Sequence, residues 1–312
     1  MTDHLAFRFC NRFFNNLALQ PGAAPEHVQL DLGLDEKMDA VLFTGLAPYR
    51  VRHLTLAFRV GCRKHHLEML TDMPHVAHLH TLAFHEADAS SSLPYHLLRR
   101  CTRLEEFHLQ TDMEIPNSLP PSLAAVLCEM SHLRSFETDV LSGTKFAALP
   151  VTLEKLIVDR LQGQTEKCTS HLTRMTRLSH FVCGETNWRV DDVVRVLPAL
   201  TTLRLDDCQM PLTPLTLETL RTVRCSGVLT SQWGALYRRF LSLPNLESLN
   251  INIYYRQYSL RAGSFLVDAL RDTVAETSRP LRLRDLWINE SVNDTNLADL
   301  ASCAGPPGTA VS

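Results

Sequence analysis

No segment of this 312-residue sequence approaches the roughly 18 consecutive apolar residues that a membrane-spanning helix needs. The N-terminus also lacks a basic stretch followed by an apolar run and a small-residue cleavage site, so secretion is disfavoured along with membrane spanning. The expected compartment is the cytoplasm, with mitochondrion or nucleus as alternatives. No excess of positive charge is present: 31 Lys and Arg stand against 34 Asp and Glu, a net charge of −3, which gives no electrostatic case for a nucleic-acid partner. The nine cysteines contain no C-x-x-C pair and are an odd number, which reads as reduced thiols rather than as a disulfide framework or a zinc knuckle. Neither G-x-S-x-G nor H-E-x-x-H occurs, and no acid–base pair stands out by spacing. The two glycosylation sequons, Asn289-Glu-Ser291 and Asn293-Asp-Thr295, are read as chance matches in the absence of a secretory signal. One phosphate-loop lookalike, Gly305 to Ser312, fails on its chemistry. Val311 stands where a lysine must reach the phosphates, Ala310 replaces the last glycine, and no helix follows.

What the chain does have is apolar content, 45% hydrophobic against 21% charged residues, enough for a large core. Its apolar residues also recur in one spacing. Leu200, Leu203 and Leu205, closed by Cys208, give L-x-x-L-x-L-x-x-C. Leu203 and Leu205 alternate on a short strand and point to one side, and Leu200 enters the same core from the preceding turn. The same three-residue pattern begins at Val51, Leu79, Leu104, Leu133, Leu153, Leu178, Leu200, Leu220, Leu246 and Leu283, and Val28, Leu30 and Leu32 form a strand ahead of them. Most intervals fall in the range of about 20 to 29 residues. Helical patterns fill the gaps: 35–46 with Met38, Val41 and Leu42 inward, 64–70, 92–100, 121–130 with Pro121 at its start, 191–197, 232–241 and 263–276. The short units at Leu133 and Leu200 leave room for a turn or a 3₁₀ connection only. Strand then helix, repeated, predicts an α/β solenoid with a curved parallel sheet on its concave face and helices and irregular turns on its convex face. The expected division is a capping helix over 1–25, a solenoid over 26–300 and a disordered Gly-Pro-Ala tail over 301–312. The stretch from Leu5 to Leu19, with Arg8 and Arg12 and no acid, has a mitochondrial presequence as its lesser alternative reading.

These units resemble the leucine-rich repeat superfamily, and the longer ones look most like its ribonuclease-inhibitor-like and cysteine-containing subclasses. The resemblance runs from about Val28 to Ile288. The chain mostly departs from the family at the end of the strand segments, where a regular asparagine or cysteine would be: Cys208 keeps it, but Arg59, Ala87, Asp112, Leu141, Leu161, Thr186, Val228, Tyr254 and Ser291 stand there instead. Some members carry an N-terminal F-box that recruits a ubiquitin ligase. The stretch before Val28 is too short for one and lacks its leucine-proline start.

The repeat register names the side chains of the concave face, because residues flanking the inward positions alternate outward. Acids gather at Glu137, Asp139 and Asp159, beside Arg204, Asp206 and Arg224, with Asn250 and an aromatic anchor at Trp287. Complementary charge around an aromatic or arginine anchor suits recognition of another protein. The expectation is therefore a non-enzymatic scaffold that binds a protein partner through these residues, with no cofactor and no metal. The alternative is an adaptor or stable subunit of a larger complex such as a ubiquitin ligase or a mitochondrial assembly. A remoter alternative is a metal-dependent enzyme built on the histidines at 65, 66, 75, 78, 80 and 85, near Cys62, Glu86 and Asp88. In register, however, His78 and His80 flank Leu79 while His85 lies beyond it, so they point apart. Trp188 and Trp233 are read as packing residues, and Cys208 as a core thiol.

Overall fold

A computed structural model describes residues 27–32, 36–47, 50–58, 62–87, 93–111, 119–162, 165–184, 190–206, 215, 217–226, 233–252, 268–273, 282–288 and 310–311. The chain divides into two compact units, Met1–Leu153 and Glu154–Ser312.

The first unit runs β1 (His27–Leu32), α1 (Glu36–Leu46), β2 (His53–Phe58), α2 (Lys64–Asp72), a 3₁₀ turn (Val76–His78), β3 (Thr81–Ala87), a second 3₁₀ segment (Tyr95–Arg100), β4 (Glu106–Thr111), α3 (Pro121–Glu129), β5 (Ser135–Ser142) and the single turn α4 (Gly143–Phe146). Its five strands pair in chain order and in parallel, with Leu54 opposite Val28 and Leu82, and Phe107 opposite Leu82 and Phe136. The inward leucines and phenylalanines are buried, and the helices close the core with Phe43, Leu46, Leu67, Leu70, Leu123, Val126 and Leu127. A line of phenylalanine rings runs through it. Phe58, Phe84 and Phe107 meet edge to face at 5.6 and 5.5 Å, and Phe107 reaches Phe136 at 6.0 Å. Such contacts add roughly 0.5–1.5 kcal/mol per pair beyond area burial.

The second unit repeats the plan with β6 (Lys155–Gln162), α5 (Thr165–Leu172), β7 (His180–Cys183), α6 (Val190–Val196), β8 (Thr202–Asp206), β9 (Thr222–Ser226), α7 (Trp233–Leu241), β10 (Ser248–Asn252), β11 (Asp285–Ile288) and β12 (Ala310–Val311). Residues 268–273 are helical between β10 and β11. The strands from β6 to β12 are again parallel and in chain order, with Leu156, Phe181, Leu203, Val223, Leu249 and Leu286 in one row. Each unit is thus a stretch of leucine-rich repeat solenoid, with strand and helix alternating around a leucine-lined core.

The strand ends lack the family's asparagine, and a backbone device recurs at the strand starts instead. The carbonyl of the residue just before or at a strand start accepts two consecutive N–H groups from the next repeat. Arg52 O accepts from His80 and Thr81, His80 O from Glu105 and Glu106, and Glu105 O from Arg134 and Ser135, all at 2.8–3.0 Å. In the second unit the acceptors are Glu154, Ser179, Thr201, Arg221 and Glu247, the last taking the N–H groups of Arg284 and Asp285 at 2.7 and 3.1 Å.

Several expectations are corrected. Helix α1 turns Asp39, Phe43 and Leu46 inward, and Val41, expected inside, is 42% exposed. The stretch at 92–100 is 3₁₀ rather than α from Tyr95 onward, and the Leu133 unit closes with one α-turn. Helix α5 was not foreseen, because Thr165-Glu-Lys-Cys-Thr-Ser-His-Leu172 shows little apolar periodicity; Cys168, His171 and Leu172 are its buried residues. The N-terminal segment lies outside the described residues. Of the tail at 301–312, Ala310 and Val311 are described, paired with Asp285 and Leu286 of β11.

Candidate functional site

The outward residues of each sheet stand in rows across the strands. In the first unit one row reads His27, His53, Thr81, Glu106 and Ser135, and the next Gln29, Thr55, Ala83, His108 and Glu137. Cross-strand hydrogen bonds link them. The His27 and His53 rings stack at 4.1 Å, His53 Nδ1 lies 2.8 Å from Thr81 Oγ1, Thr81 Oγ1 donates to Glu106 Oε2 at 3.2 Å, and His108 Nδ1 lies 2.9 Å from Glu137 Oε2. Such pairs stabilise a sheet by about 0.2–1 kcal/mol each. They also commit Glu137 to a neighbour. Asp139 is only 9% exposed, which removes most of its carboxylate from the surface expected of it.

In the second unit the central row is Ile157, Val182, Arg204, Arg224, Asn250 and Trp287. Arg204 is engaged: its Nη2 and Nε lie 3.0 and 3.2 Å from Asp206 Oδ2, and the other oxygen of Asp206 accepts from Ser226 Oγ. Asp159 is exposed on β6, and the Asp159 main-chain carbonyl crowds Gly184, where a Cβ would fall 2.0 Å from the oxygen. Arg224 is exposed and has no side-chain partner among the described residues. Beside it Asn250 Oδ1 is buried without a hydrogen bond, a situation that costs about 1–3 kcal/mol. Trp287 follows, 38% exposed, one of few large apolar side chains left open to solvent. The expected site residues therefore divide. Glu137 and Asp139 lie in the first unit, the other six in the second. Arg224, Asn250 and Trp287 are adjacent with unmet bonding capacity, whereas Arg204 and Asp206 satisfy each other.

Of the histidines expected as a remote metal site, His75, His78, His80 and His85 do not converge among the described residues. His85 bonds Gln110 at 2.7 Å, His80 lies 3.5 Å from Glu105, and the His78 ring lies tilted against His75 at 6.0 Å. The other two of that set, His65 and His66 on α2, do converge, with Asp39 on α1 as a partner the sequence reading did not include, their ligand atoms lying within 4.8 Å of one another. Its hydrogen bonding argues for structure. The backbone N–H of Arg63 donates to His66 Nδ1 at 3.0 Å, so that nitrogen is the acceptor, and Nε2–H donates to Asp39 Oδ2 at 3.0 Å. Neither nitrogen of His66 then has a lone pair left for a cation. Burial holds the His66 imidazole below its ordinary pKa against the opposing pull of the Asp39 hydrogen bond, so it stays neutral. Asp39 and His66 bolt α1 to α2.

A concavity of about 360 Å³ lies between the second 3₁₀ segment and α3, lined by Leu98, Cys101, Leu104, Val126 and Met130 and edged by the Arg99–Glu129 ion pair. Burial pushes the Cys101 thiol up to about 12 and the Cys168 thiol to about 11, so neither supplies a thiolate at neutral pH. Cys208 lies outside the described residues.

No helix among the described residues is long and apolar enough to cross a membrane. No family model matches the chain, and no curated protein matches it. Among solved structures it is similar to an internalin from Listeria monocytogenes, with a TM-score of 0.47 and 15% sequence identity over 86% of this chain and 81% of that one. The strand rows and backbone brackets within the chain itself identify its fold: a leucine-rich repeat solenoid.

Proposed function

We propose that this protein is a non-enzymatic scaffold that binds another protein through the outward face of its strands, using Glu137 in the first unit and Asp159, Arg204, Asp206, Arg224, Asn250 and Trp287 in the second. The observation that supports this reading most is the row Arg224, Asn250 and Trp287. A cation, an unsatisfied amide and an exposed indole in adjacent strands are the groups that interfaces use as anchors. The opposite side of each sheet faces the leucine core and its helices, so the outward rows are the broad polar surface each unit presents. Asp139, buried in the first unit, is left out of this set.

The test is affinity capture of partners on the natural chain and on two sets of variants. One set reverses outward charges, Glu137→Lys, Asp159→Lys and Arg224→Glu. The other alters exposed helix positions, Thr44→Lys and Ala125→Lys. The expected outcome is loss of the principal partner with the first set and retention with the second. Retention with the first set and loss with the second would move the interface to the helices.

A further inference from the structure

We infer that the central row of β9, β10 and β11 is a docking site for an extended polypeptide segment that carries a carboxylate side chain three positions from an aromatic one. The inference rests on the sheet-face reading above and specifies the chemistry of the partner.

Arg224 is exposed, and its guanidinium has no carboxylate partner among the described residues, whereas Arg204 in the neighbouring strand is neutralised by Asp206. The row therefore offers one unmatched cation. A single guanidinium fork pairs two parallel N–H groups with one carboxylate. Next in the row, Asn250 Oδ1 lacks a donor, and its amide makes no side-chain hydrogen bond among the described residues. A main-chain N–H of a passing segment is the donor that satisfies it, after a small rotation of the amide. Trp287 then presents an indole that is 38% exposed on the same face, paired in register with Asn250. Its neighbours on β11 are Leu286, which is buried, and Asp285, which is exposed. Aromatic side chains left open beside a polar row gain most from stacking with another ring.

Spacing fixes the motif. Arg224 and Trp287 stand two strands apart, so about 10 Å separates their positions at roughly 4.8 Å per strand. A polyproline-II segment advances about 3.1 Å per residue with three residues per turn, which returns side chains to the same side after about 9.3 Å. Its main chain has no internal hydrogen bonds, so an N–H between the two side chains is available to Asn250. Acidic-x-x-aromatic, in either direction, is the pattern that meets all three groups.

The test uses synthetic peptides rather than an unknown partner. A displayed library of random 12-residue peptides is selected on the purified full chain, and the enriched sequences are made with a fluorescent label and titrated by anisotropy. Enrichment of an acidic and an aromatic residue three apart is expected, with affinity falling at least tenfold for Arg224→Glu and for Trp287→Ala and less than threefold for Arg204→Ala. Replacing the peptide's acid by lysine should abolish binding to the natural chain, and Arg224→Glu should restore part of it to that lysine peptide. Circular dichroism and melting curves of each variant confirm that it folds. Failure to enrich any such pattern, or equal binding to Arg224→Glu and Trp287→Ala chains that fold normally, overturns the proposal. If enriched peptides ignore those two substitutions but are lost with Thr55→Lys in the first unit, the sheet-face reading stands and this one falls. If every substitution on the outward rows is silent while peptides still bind, both readings fall.

Discussion

Gly184 offers the sharpest test of the strand packing. It sits at the end of β7, and its N–H donates to Val158 O of β6 at 2.8 Å. A Cβ built there would lie 2.0 Å from the Asp159 carbonyl oxygen, 2.9 Å from its carbon and 3.2 Å from its Cα. The glycine is thus required for space, and the crowding atoms are backbone, which cannot swing aside. Gly184→Ala would force the two strand ends apart by more than an ångström and stretch the Val158 bond beyond hydrogen-bonding range. Overpacking of this kind costs about 1–3 kcal/mol and the lost bond about 1 kcal/mol. The loss is offset by the roughly 0.4–1 kcal/mol that alanine gains through a less flexible unfolded chain. The net destabilisation is about 2 kcal/mol. For a unit of this size that lowers the melting temperature by roughly 4–8 °C. Urea titration should show a reduced midpoint with an unchanged slope. A companion substitution separates causes: Asp159→Ala should not rescue Gly184→Ala, because the clash is with the main chain. A Gly184→Ala chain within about 0.5 kcal/mol of the natural one, the scatter of neutral surface changes, would refute the close approach of β6 and β7.

Three further outcomes follow from the core and its titratable groups. Phe107→Ala empties the centre of the ring line between Phe84 and Phe136 and should cost about 3–5 kcal/mol by denaturant titration, far more than Phe107→Leu. His66 has a folded pKa below its unfolded value, so its contribution is complete above about pH 6.5 and is lost as the pH falls below that value, where the unfolded chain takes up the proton first. The slope approaches about 1.4 kcal/mol per pH unit and should shrink in His66→Gln, read from unfolding free energies between pH 7.5 and pH 5. Under native conditions at pH 8, alkylation followed by mass spectrometry should modify the exposed Cys128 and spare Cys101 and Cys168 until the chain is unfolded.

The strands were readable from the sequence because one rule governs them. A leucine three residues ahead of an alternating pair fixes both the start of a strand and the side it buries, and the outward rows follow from that. Helix faces were less readable. In α1 the inward stripe runs through Asp39, which hydropathy assigns to solvent, because its acceptor meets His66 from a different repeat. Helix α5 is likewise hidden in the sequence, with a buried histidine and cysteine in place of leucines. At the candidate site the residues were legible but their states were not. Arg204 and Arg224 look alike in sequence; an aspartate two positions along the same strand occupies the first, and the second has only Ser226 at the equivalent place. Asp139 belongs to an outward row by count, yet it is buried.

The paired N–H groups that dock onto one carbonyl at most strand starts have a consequence for how each unit tolerates change. Each strand joined in this way, β3 to β5 in the first unit and β7 to β11 in the second, is keyed to its predecessor at its first residue, and the length of the connection between them plays no part in the match. Register therefore resets at every repeat instead of accumulating error along the chain, so a connection may gain or lose residues without shifting which side chains face outward. The vulnerable positions are the keying donors themselves. Proline at Thr201 or Glu247 would remove an N–H that no side chain can replace, and every outward row beyond that point would lose its alignment with the rows before it.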